Sequence, residues 1–151
     1  MEEHRMFDKI LVAVDGSLDA DAAVKAGATI ARAEGATLDI CHAFHIPDHY
    51  RSDLADAVED ELKEDARRTL EHAAGVARSA GIDTAEHLLE EGHPAAAVLG
   101  LAARLGSTLI VLGVRGKSPD TVRALGSVSA AVSQGAECSV LLVRRKPGEP
   151  G

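Results

Sequence analysis

Aromatic residues are scarce in this chain: tryptophan is absent, and phenylalanine and tyrosine together make up 2% of the 151 residues. A packed core must therefore be built from Ala, Val, Leu and Ile. No apolar run approaches the roughly 18 residues of a membrane span, and the amino terminus lacks the basic-then-apolar pattern of a secretory signal. We expect a cytoplasmic protein with one domain over residues 1–145 and a disordered tail at 146–151.

Cysteine is also scarce, and acidic residues outnumber basic ones, 24 to 16. The chain has two cysteines, Cys41 and Cys138, both in apolar, strand-like runs. Two such thiols do not make a disulfide framework and fit the buried, reduced cysteines of intracellular proteins. The net charge is −8. Nucleic acids and anionic membranes are also negatively charged, so they repel such a protein. We therefore expect neither of them as a partner.

Strand-like and helix-like segments alternate along the chain. The apolar run 10–14 suits a parallel strand covered on both faces, and Ser17 is suited to cap the alanine-rich helix that follows. Asp39 and His42 interrupt the pattern of the second strand. The order βαβαβαβαβ predicts an α/β fold, a mostly parallel sheet with helices on both faces. The predicted strands are 7–14, 37–44, 82–90, 108–112 and 139–144, and the predicted helices are 18–34, 52–80, one starting at Pro94, and 127–135.

The stretch after the fourth predicted strand is a glycine-rich turn that leads into a helix. Glycine permits positive φ and lets the backbone approach a ligand closely. A helix N-terminus offers unpaired N–H groups and the positive end of its dipole to an anion. Together these features predict a phosphate cradle. Its members are Gly113, Gly116, Gly126, Ser127, the backbone N–H of Val128 and the hydroxyl of Ser129.

The spacing of these residues, G-x2-G-x9-G-[ST], resembles the ATP-binding motif of the universal stress protein family. The resemblance spans roughly residues 6–144 and includes the segments 9–17 (KILVAVDGS), 91–95 (EGHPA) and 136–143 (AECSVLLV). It implies an open five-stranded sheet in the order 3-2-1-4-5, like that of the adenine-nucleotide α-hydrolase-like proteins. Strands 1 and 4 are then neighbours where the order reverses, and open α/β sheets bind ligands in the crevice there.

The resemblance also implies a ligand and further site residues. The ligand is ATP or another adenine nucleotide, with Mg²⁺ or Mn²⁺. Asp15, which ends strand 1, matches an aspartate at the family's nucleotide site, where a carboxylate holds a sugar hydroxyl or, indirectly, the metal. Four apolar residues match positions that line the adenine: Ala13, Val14, Ala43 and Leu112.

Purely structural explanations of these residues remain open. The glycines can serve only a turn, Ser127 only a helix cap, and Asp15 only an Asx-turn at the bend. The segment 116–118 imitates the end of a P-loop, but the glycine that a P-loop requires falls at Val111 and Pro119 follows at once, so we exclude that motif. No G-x-G-x-x-G follows a predicted strand either, which excludes a dinucleotide fingerprint.

Two other polar clusters contain residues of metal-binding or acid–base type. Three histidines lie within residues 42–49, but Cys41 and His42 would point to opposite faces of a strand and could not share a metal. We interpret this cluster as a polar surface loop. The acidic pair 90–91 with His93 is interpreted as a tight strand-to-helix turn rather than as an acid–base pair.

Two positions depart from the family's pattern. Thr108 stands where an aspartate often precedes strand 4, which weakens the case for a family-like start of that strand. Ser139 stands where a proline often precedes the last strand, and it restores an N–H donor. That last strand is an apolar edge, which invites pairing. The resemblance implies a homodimer joined by antiparallel pairing of Val140, Leu141, Leu142 and Val143.

The leading functional hypothesis is a nucleotide-binding stress protein that senses or buffers the adenine nucleotide state. Any ATP hydrolysis would be slow, because no residue stands out as a general base or an arginine finger. Two alternatives stay open: an adenylating or ATP-hydrolysing enzyme of a related fold, and a partner-binding protein whose glycine loop is empty.

Overall fold

The computed structural model describes residues 5–45, 55–114 and 125–146, within which strands and helices alternate as predicted. Of the predicted tail, Lys146 alone is described. None of the helices in these ranges is long and apolar enough to cross a membrane. The strands are β1 (Lys9–Ala13), β2 (Thr37–Phe44), β3 (Glu86–Glu91), β4 (Leu109–Gly113) and β5 (Ser139–Val143). The helices are α1 (Leu18–Glu34), α2 (Ala55–Ser79), α3 (Pro94–Leu105) and α4 (Ser127–Gly135).

The five strands form one parallel sheet in the order β3-β2-β1-β4-β5, which confirms the predicted topology. β1 lies at the centre, where Leu11 is the register partner of Asp39 in β2 and of Ile110 in β4. The strand order reverses between β1 and β4, so the carboxyl ends of these two strands border a crevice.

The central strands bury both of their faces. Ile10 and Val12 pack against α1 and α2, and Leu11 between them packs against α3 and α4, as the alternation of side chains along a strand requires. The buried hydrophobic side chains that the structure describes are Ala, Val, Leu, Ile and Cys41. Small aliphatic side chains therefore fill the core in place of aromatic ones, and they let the helices pack close to the sheet.

The third strand begins at Glu86, four residues later than predicted. The N–H of Ile82 donates to the carbonyl of Ala77 at 3.1 Å, and its side chain packs with the α1 and α2 face of the core. Gly81, with a φ of 94°, turns the chain just before it. The apolar residue at 82 therefore closes the end of α2 instead of starting a strand.

Thr108 ties the start of β4 to the start of β1. Its hydroxyl oxygen accepts from the N–H groups of Asp8 (3.1 Å) and Lys9 (3.2 Å), and its own N–H donates to the Lys9 carbonyl at 2.8 Å. Thr108, which departs from the family's pattern at this position, therefore still anchors the start of β4 to β1. Regular pairing of β1 begins at Lys9, two residues later than predicted, and Asp8 just before it bonds to the Thr108 hydroxyl.

Asp39 does not interrupt β2, which runs through it without a break. Its side chain is completely buried, and the Nζ of Lys9 lies 3.2 Å from its Oδ2. Because a buried carboxylate is stable only beside an opposite charge, Lys9 is what makes this position compatible with the interior of the sheet.

The two edges of the sheet differ in chemistry. β3 carries three glutamates in six residues, Glu86, Glu90 and Glu91. β5 has the sequence SVLLV, and its four apolar residues are only partly buried. The sheet therefore has one acidic and one apolar edge.

Candidate nucleotide site

A cavity of about 290 Å³ lies at the carboxyl ends of β1 and β4. Ten of the eleven predicted site residues line it, and the eleventh, Gly116, lies outside the described residues. The ten are Ala13, Val14, Asp15, Ala43, Leu112, Gly113, Gly126, Ser127, Val128 and Ser129.

Four further lining residues were not found from the sequence. Ser17 and Ala20 belong to the start of α1, and Pro94 and Val98 to the start of α3. Their patterns are those of a helix cap and of ordinary apolar helix faces. The signal that could have found them is topological: in a parallel sheet each helix starts near the carboxyl end of the preceding strand, so several helix N-termini meet at one crevice.

The N-terminus of α1 is neutralised by its own side chains. The Oγ of Ser17 accepts from the N–H of Ala20 at 3.1 Å, and Asp15 Oδ1 accepts from the N–H of Ser17 at 2.9 Å. Two aspartates, Asp19 and Asp21, lie in the first turn and complement the positive end of the helix dipole. The Asx-turn that the sequence left open for Asp15 is therefore present.

The N-terminus of α4 is different, because no side chain of the residues that the structure describes caps it. Its cap residue is Gly126, and the first turn contains no acidic residue. The first hydrogen bond inside the helix is donated by Ala130 to the Gly126 carbonyl, so the N–H groups of residues 127–129 have no partner within the helix. Residues 127–129 lie at the wall of the cavity, so these backbone donors stand where the phosphate cradle was predicted.

Gly113 has a role that sequence reasoning missed. A Cβ at this position would lie 2.7 Å from the Cβ of Asp19 and 3.0 Å from its carbonyl carbon. The glycine therefore allows α1 to pack directly on the end of β4. The expectation that the motif's glycines supply positive φ is wrong at the two described positions: Gly126 has a φ of −62°, and Gly113 is not among the positive-φ glycines.

The hydroxyl of Ser129 is committed to the fold. The side chain is buried, and its Oγ donates to the carbonyl of Gly113 at 2.7 Å. This bond fastens α4 to the end of β4. The one proton of the hydroxyl is used in this bond, so in the ligand-free protein the donor that Ser129 offers at the start of α4 is its backbone N–H.

Asp15 is the one ionisable side chain among the described residues that line the cavity. In the described segments no group of three or more His, Cys, Asp or Glu side chains is arranged to hold a metal ion. A metal at this cavity would therefore depend on Asp15 together with oxygens of the ligand, which is how Mg²⁺ is usually held beside phosphates.

The histidine cluster does not assemble into a metal site within the described residues. Cys41 packs on the α3 and α4 side of the sheet, and His42 shares the opposite face with Ile40. Burial, together with the charges of Glu90 and Asp39, raises the pKa of the Cys41 thiol to about 12, so it stays protonated. His49 lies outside the described residues.

The segment around His93 forms the turn that the sequence predicted. The N–H of Gly92 donates to the carbonyl of Phe44 at 2.8 Å, and His93 is the cap residue of α3. The ring of His93 stacks on that of His45 with centroids 4.5 Å apart. Glu90 is paired with Arg104 at 3.2 Å. The first two contacts join the end of β2 to the start of α3, and the ion pair joins β3 to the end of α3.

An open parallel sheet with a cavity where its strand order reverses defines a doubly wound α/β protein of the ligand-binding kind. The model of the family described as "Universal stress protein family" matches residues 6–144. The chain belongs to the universal stress protein family. It is 35% identical over 153 residues to the universal stress protein YxiE of Bacillus subtilis, covering 92% of this chain and 100% of that protein.

Two solved structures of similar proteins contain a nucleotide. A universal stress protein in complex with cAMP is 31% identical, has a TM-score of 0.73 and covers 91% of this chain and 97% of its own. The universal stress protein of Archaeoglobus fulgidus in complex with dAMP is 27% identical, has a TM-score of 0.67 and covers 91% and 98%.

Proposed function

We propose that this protein binds ATP, or another adenine nucleotide, and acts as a cytoplasmic regulator in the stress response. The observation that carries the proposal is the N-terminus of α4, which no described side chain caps, at the wall of a cavity that is otherwise mostly apolar. Such a helix end attracts phosphate. The cAMP and dAMP complexes of similar proteins support the choice of an adenine nucleotide. The free thiols of Cys41 and Cys138 fit a reducing compartment.

The cavity has backbone donors on one side and apolar side chains on another, and this division indicates how a nucleotide would lie. The N–H groups of residues 127–129 would receive the phosphates. Small apolar side chains, those of Ala13, Ala43 and Val98 among them, leave a smooth wall for a flat base. Asp15 would accept from a ribose hydroxyl or hold Mg²⁺ or Mn²⁺ beside the phosphates.

We propose binding without fast turnover. Asp15 already accepts from the N–H of Ser17, and the other described lining residues are apolar residues, glycines and serines. General-base and arginine-finger chemistry would have to come from outside this set. Any hydrolysis should therefore run well below the range of about 1–10³ s⁻¹ that is typical of enzymes.

Titration calorimetry of nucleotide-stripped protein with Mg–ATP tests the proposal. We expect micromolar binding, about −8 kcal/mol at 1 μM, and its loss in Gly126→Val. Valine can adopt the φ of −62° and ψ of 153° found at Gly126, so the backbone can stay in place while the isopropyl group covers the first-turn amides.

Gly100→Val is the matched control. Gly100 lies on the exposed side of α3, and a Cβ there meets nothing within 4 Å. This variant should bind ATP like the wild type. If the wild-type protein shows no binding at millimolar ATP, the glycine motif is structural and the nucleotide proposal fails. Release of pyrophosphate in the presence of a metabolite would instead favour an adenylating enzyme.

A further inference from the structure

His42 holds the backbone just beyond the end of β1. Its Nδ1 lies 2.6 Å from the carbonyl oxygen of Val14. A carbonyl only accepts, so Nδ1 carries the proton and donates. The register of β1 and β2 ends at the pair Ala13–Cys41, and the N–H of Val14 adds one bond to the Cys41 carbonyl at 2.9 Å. The imidazole therefore hydrogen-bonds to a peptide group that lies just beyond the last paired residues of β1 and β2.

That peptide group joins Val14 to Asp15. Because a peptide unit is planar, fixing the Val14 oxygen also fixes the direction of the Asp15 N–H and the position of the Asp15 Cα. On the other side, Asp15 Oδ1 accepts from the N–H of Ser17 at 2.9 Å, across Gly16 with its φ of 83°. Asp15 is therefore fixed on both sides: His42 bonds to the carbonyl of the preceding residue, and the Asx-turn bonds the Asp15 side chain to the N–H of Ser17.

His42 does this without touching the cavity. It shares a strand face with Ile40, on the side of α1 and α2, whereas its neighbour Ala43 lines the cavity from the other face. We propose that His42 is a positioning residue, which sets the Asp15 carboxylate for the bound nucleotide through the Val14 carbonyl. The inference rests on the proposed nucleotide site. The imidazolium form also carries a proton on Nδ1, so either form of the ring can donate the hydrogen bond to the Val14 carbonyl.

Three variants at this position separate positioning from packing. In His42→Asn the amide N–H is attached to Cγ, as Nδ1 is, and can reach the Val14 oxygen. In His42→Gln the amide sits one bond further out, and in His42→Leu there is no donor. The control is Ile40→Val, which removes a methylene from the same face of β2 and should lower the melting temperature while leaving the Val14 contact intact.

The first readout is the Kd for Mg–ATP measured by calorimetry. We expect His42→Leu and His42→Gln to raise it by about tenfold, His42→Asn to stay within about threefold of wild type, and Ile40→Val to leave it unchanged. If His42→Leu does not fold, the comparison of Asn with Gln decides. Equal affinities for Asn and Gln, or wild-type affinity in a folded His42→Leu, would overturn the proposal.

The second readout is hydrogen exchange of the Ser17 amide in nucleotide-free protein, which reports the Asp15 Oδ1 bond directly. His42→Leu or His42→Gln should speed it by about tenfold relative to global unfolding, and His42→Asn should restore its protection. If wild-type protein fails to bind ATP, the nucleotide proposal fails, and this exchange rate alone decides whether His42 positions Asp15. Unchanged protection in both variants would refute the role of His42.

Discussion

Gly113 and Ser129 belong to the predicted binding motif, and each of them also makes a contact that packs the fold. Gly113 leaves room for the backbone of Asp19, and its carbonyl receives the Ser129 hydroxyl. Both residues lie beside the first-turn amides of α4, so the same contacts that pack α1 and α4 onto β4 also place those amides at the cavity. The sequence predicted these positions from their spacing, but their packing roles depend on distances that only the folded chain contains.

Gly113→Ala should lower the free energy of unfolding by about 1–3 kcal/mol, because a Cβ 2.7 Å from that of Asp19 forces α1 outward. Urea unfolding followed by circular dichroism measures the change. Gly100→Ala is the control, since its Cβ meets nothing within 4 Å and alanine in a helix should stabilise by about 0.5–1 kcal/mol. An unchanged unfolding midpoint in Gly113→Ala would show that α1 can move away without loss.

The two thiols should differ in reactivity. Cys41 is fully buried, and its pKa is raised from 9.0 to about 12; burial also raises the pKa of the partly exposed Cys138. In native protein at pH 8, iodoacetamide should modify Cys138 and leave Cys41 unmodified, with both modified in denaturant. The neutral Cys41 thiol favours the folded state fully below pH 9, and this contribution is lost as the pH rises towards 12. Rapid modification of native Cys41 at pH 8 would contradict its placement.

At the scale of elements, β5 has backbone groups on its free edge. The N–H of Val114 donates to the Val143 carbonyl, which by the alternation of a parallel ladder turns the N–H and C=O of Leu142 away from β4. These groups, flanked by partly buried apolar side chains, are suited to antiparallel pairing with a second copy. We therefore propose that the chain forms a homodimer through β5.

Leu142→Pro should convert the dimer to a monomer without unfolding it, because the lost N–H makes no bond to β4. Leu141→Pro is the control: its N–H points towards β4, so this variant should lose stability as well. Light scattering gives the mass and circular dichroism the folded fraction. A Leu142→Pro protein that keeps the mass of two chains would refute this interface.

The order of the elements was predictable in full, and so were the bounds of β2, α1 and α4, but several other ends were not. Ile82 and Asp8 illustrate why: each looks like part of a strand, yet one closes α2 and the other bonds to the Thr108 hydroxyl. The boundary at Asp8 depends on a partner 100 residues along the chain, whereas the one at Ile82 depends on how α2 ends. His42 is the same case as Asp8, since its bond to Val14 spans 28 residues and nothing in the sequence around it points to that contact.

At the scale of the whole molecule, the fold brings three helix N-termini to one cavity. α1 is neutralised by its own side chains, and Pro94 at the start of α3 has no N–H to offer. Within the described residues no side chain caps α3 or α4, so the N–H groups of residues 95–96 and of residues 127–129 have no partner inside their helices. The parallel topology predicted the location of the crevice, but the capping of α1 by its own side chains became clear only from the structure.

Phosphate number should therefore govern how strongly a ligand stabilises the protein. Thermal shifts should rise from adenosine through AMP to ATP, since each binds the folded state by its own Kd; a ligand at 100 times its Kd adds about 2.7 kcal/mol. Gly126→Val should remove the difference between AMP and ATP. Adenosine that stabilises as much as ATP would mean that the cavity recognises the base alone.

The unequal edges of the sheet set a limit on self-association. If two chains join through β5 as proposed, they form a continuous ten-stranded sheet whose outermost strands are the two copies of β3. Each β3 carries three glutamates, one of them paired with Arg104, so edge-to-edge pairing with a further chain would bring carboxylates next to carboxylates. A dimer built this way would resist growth into longer ribbons.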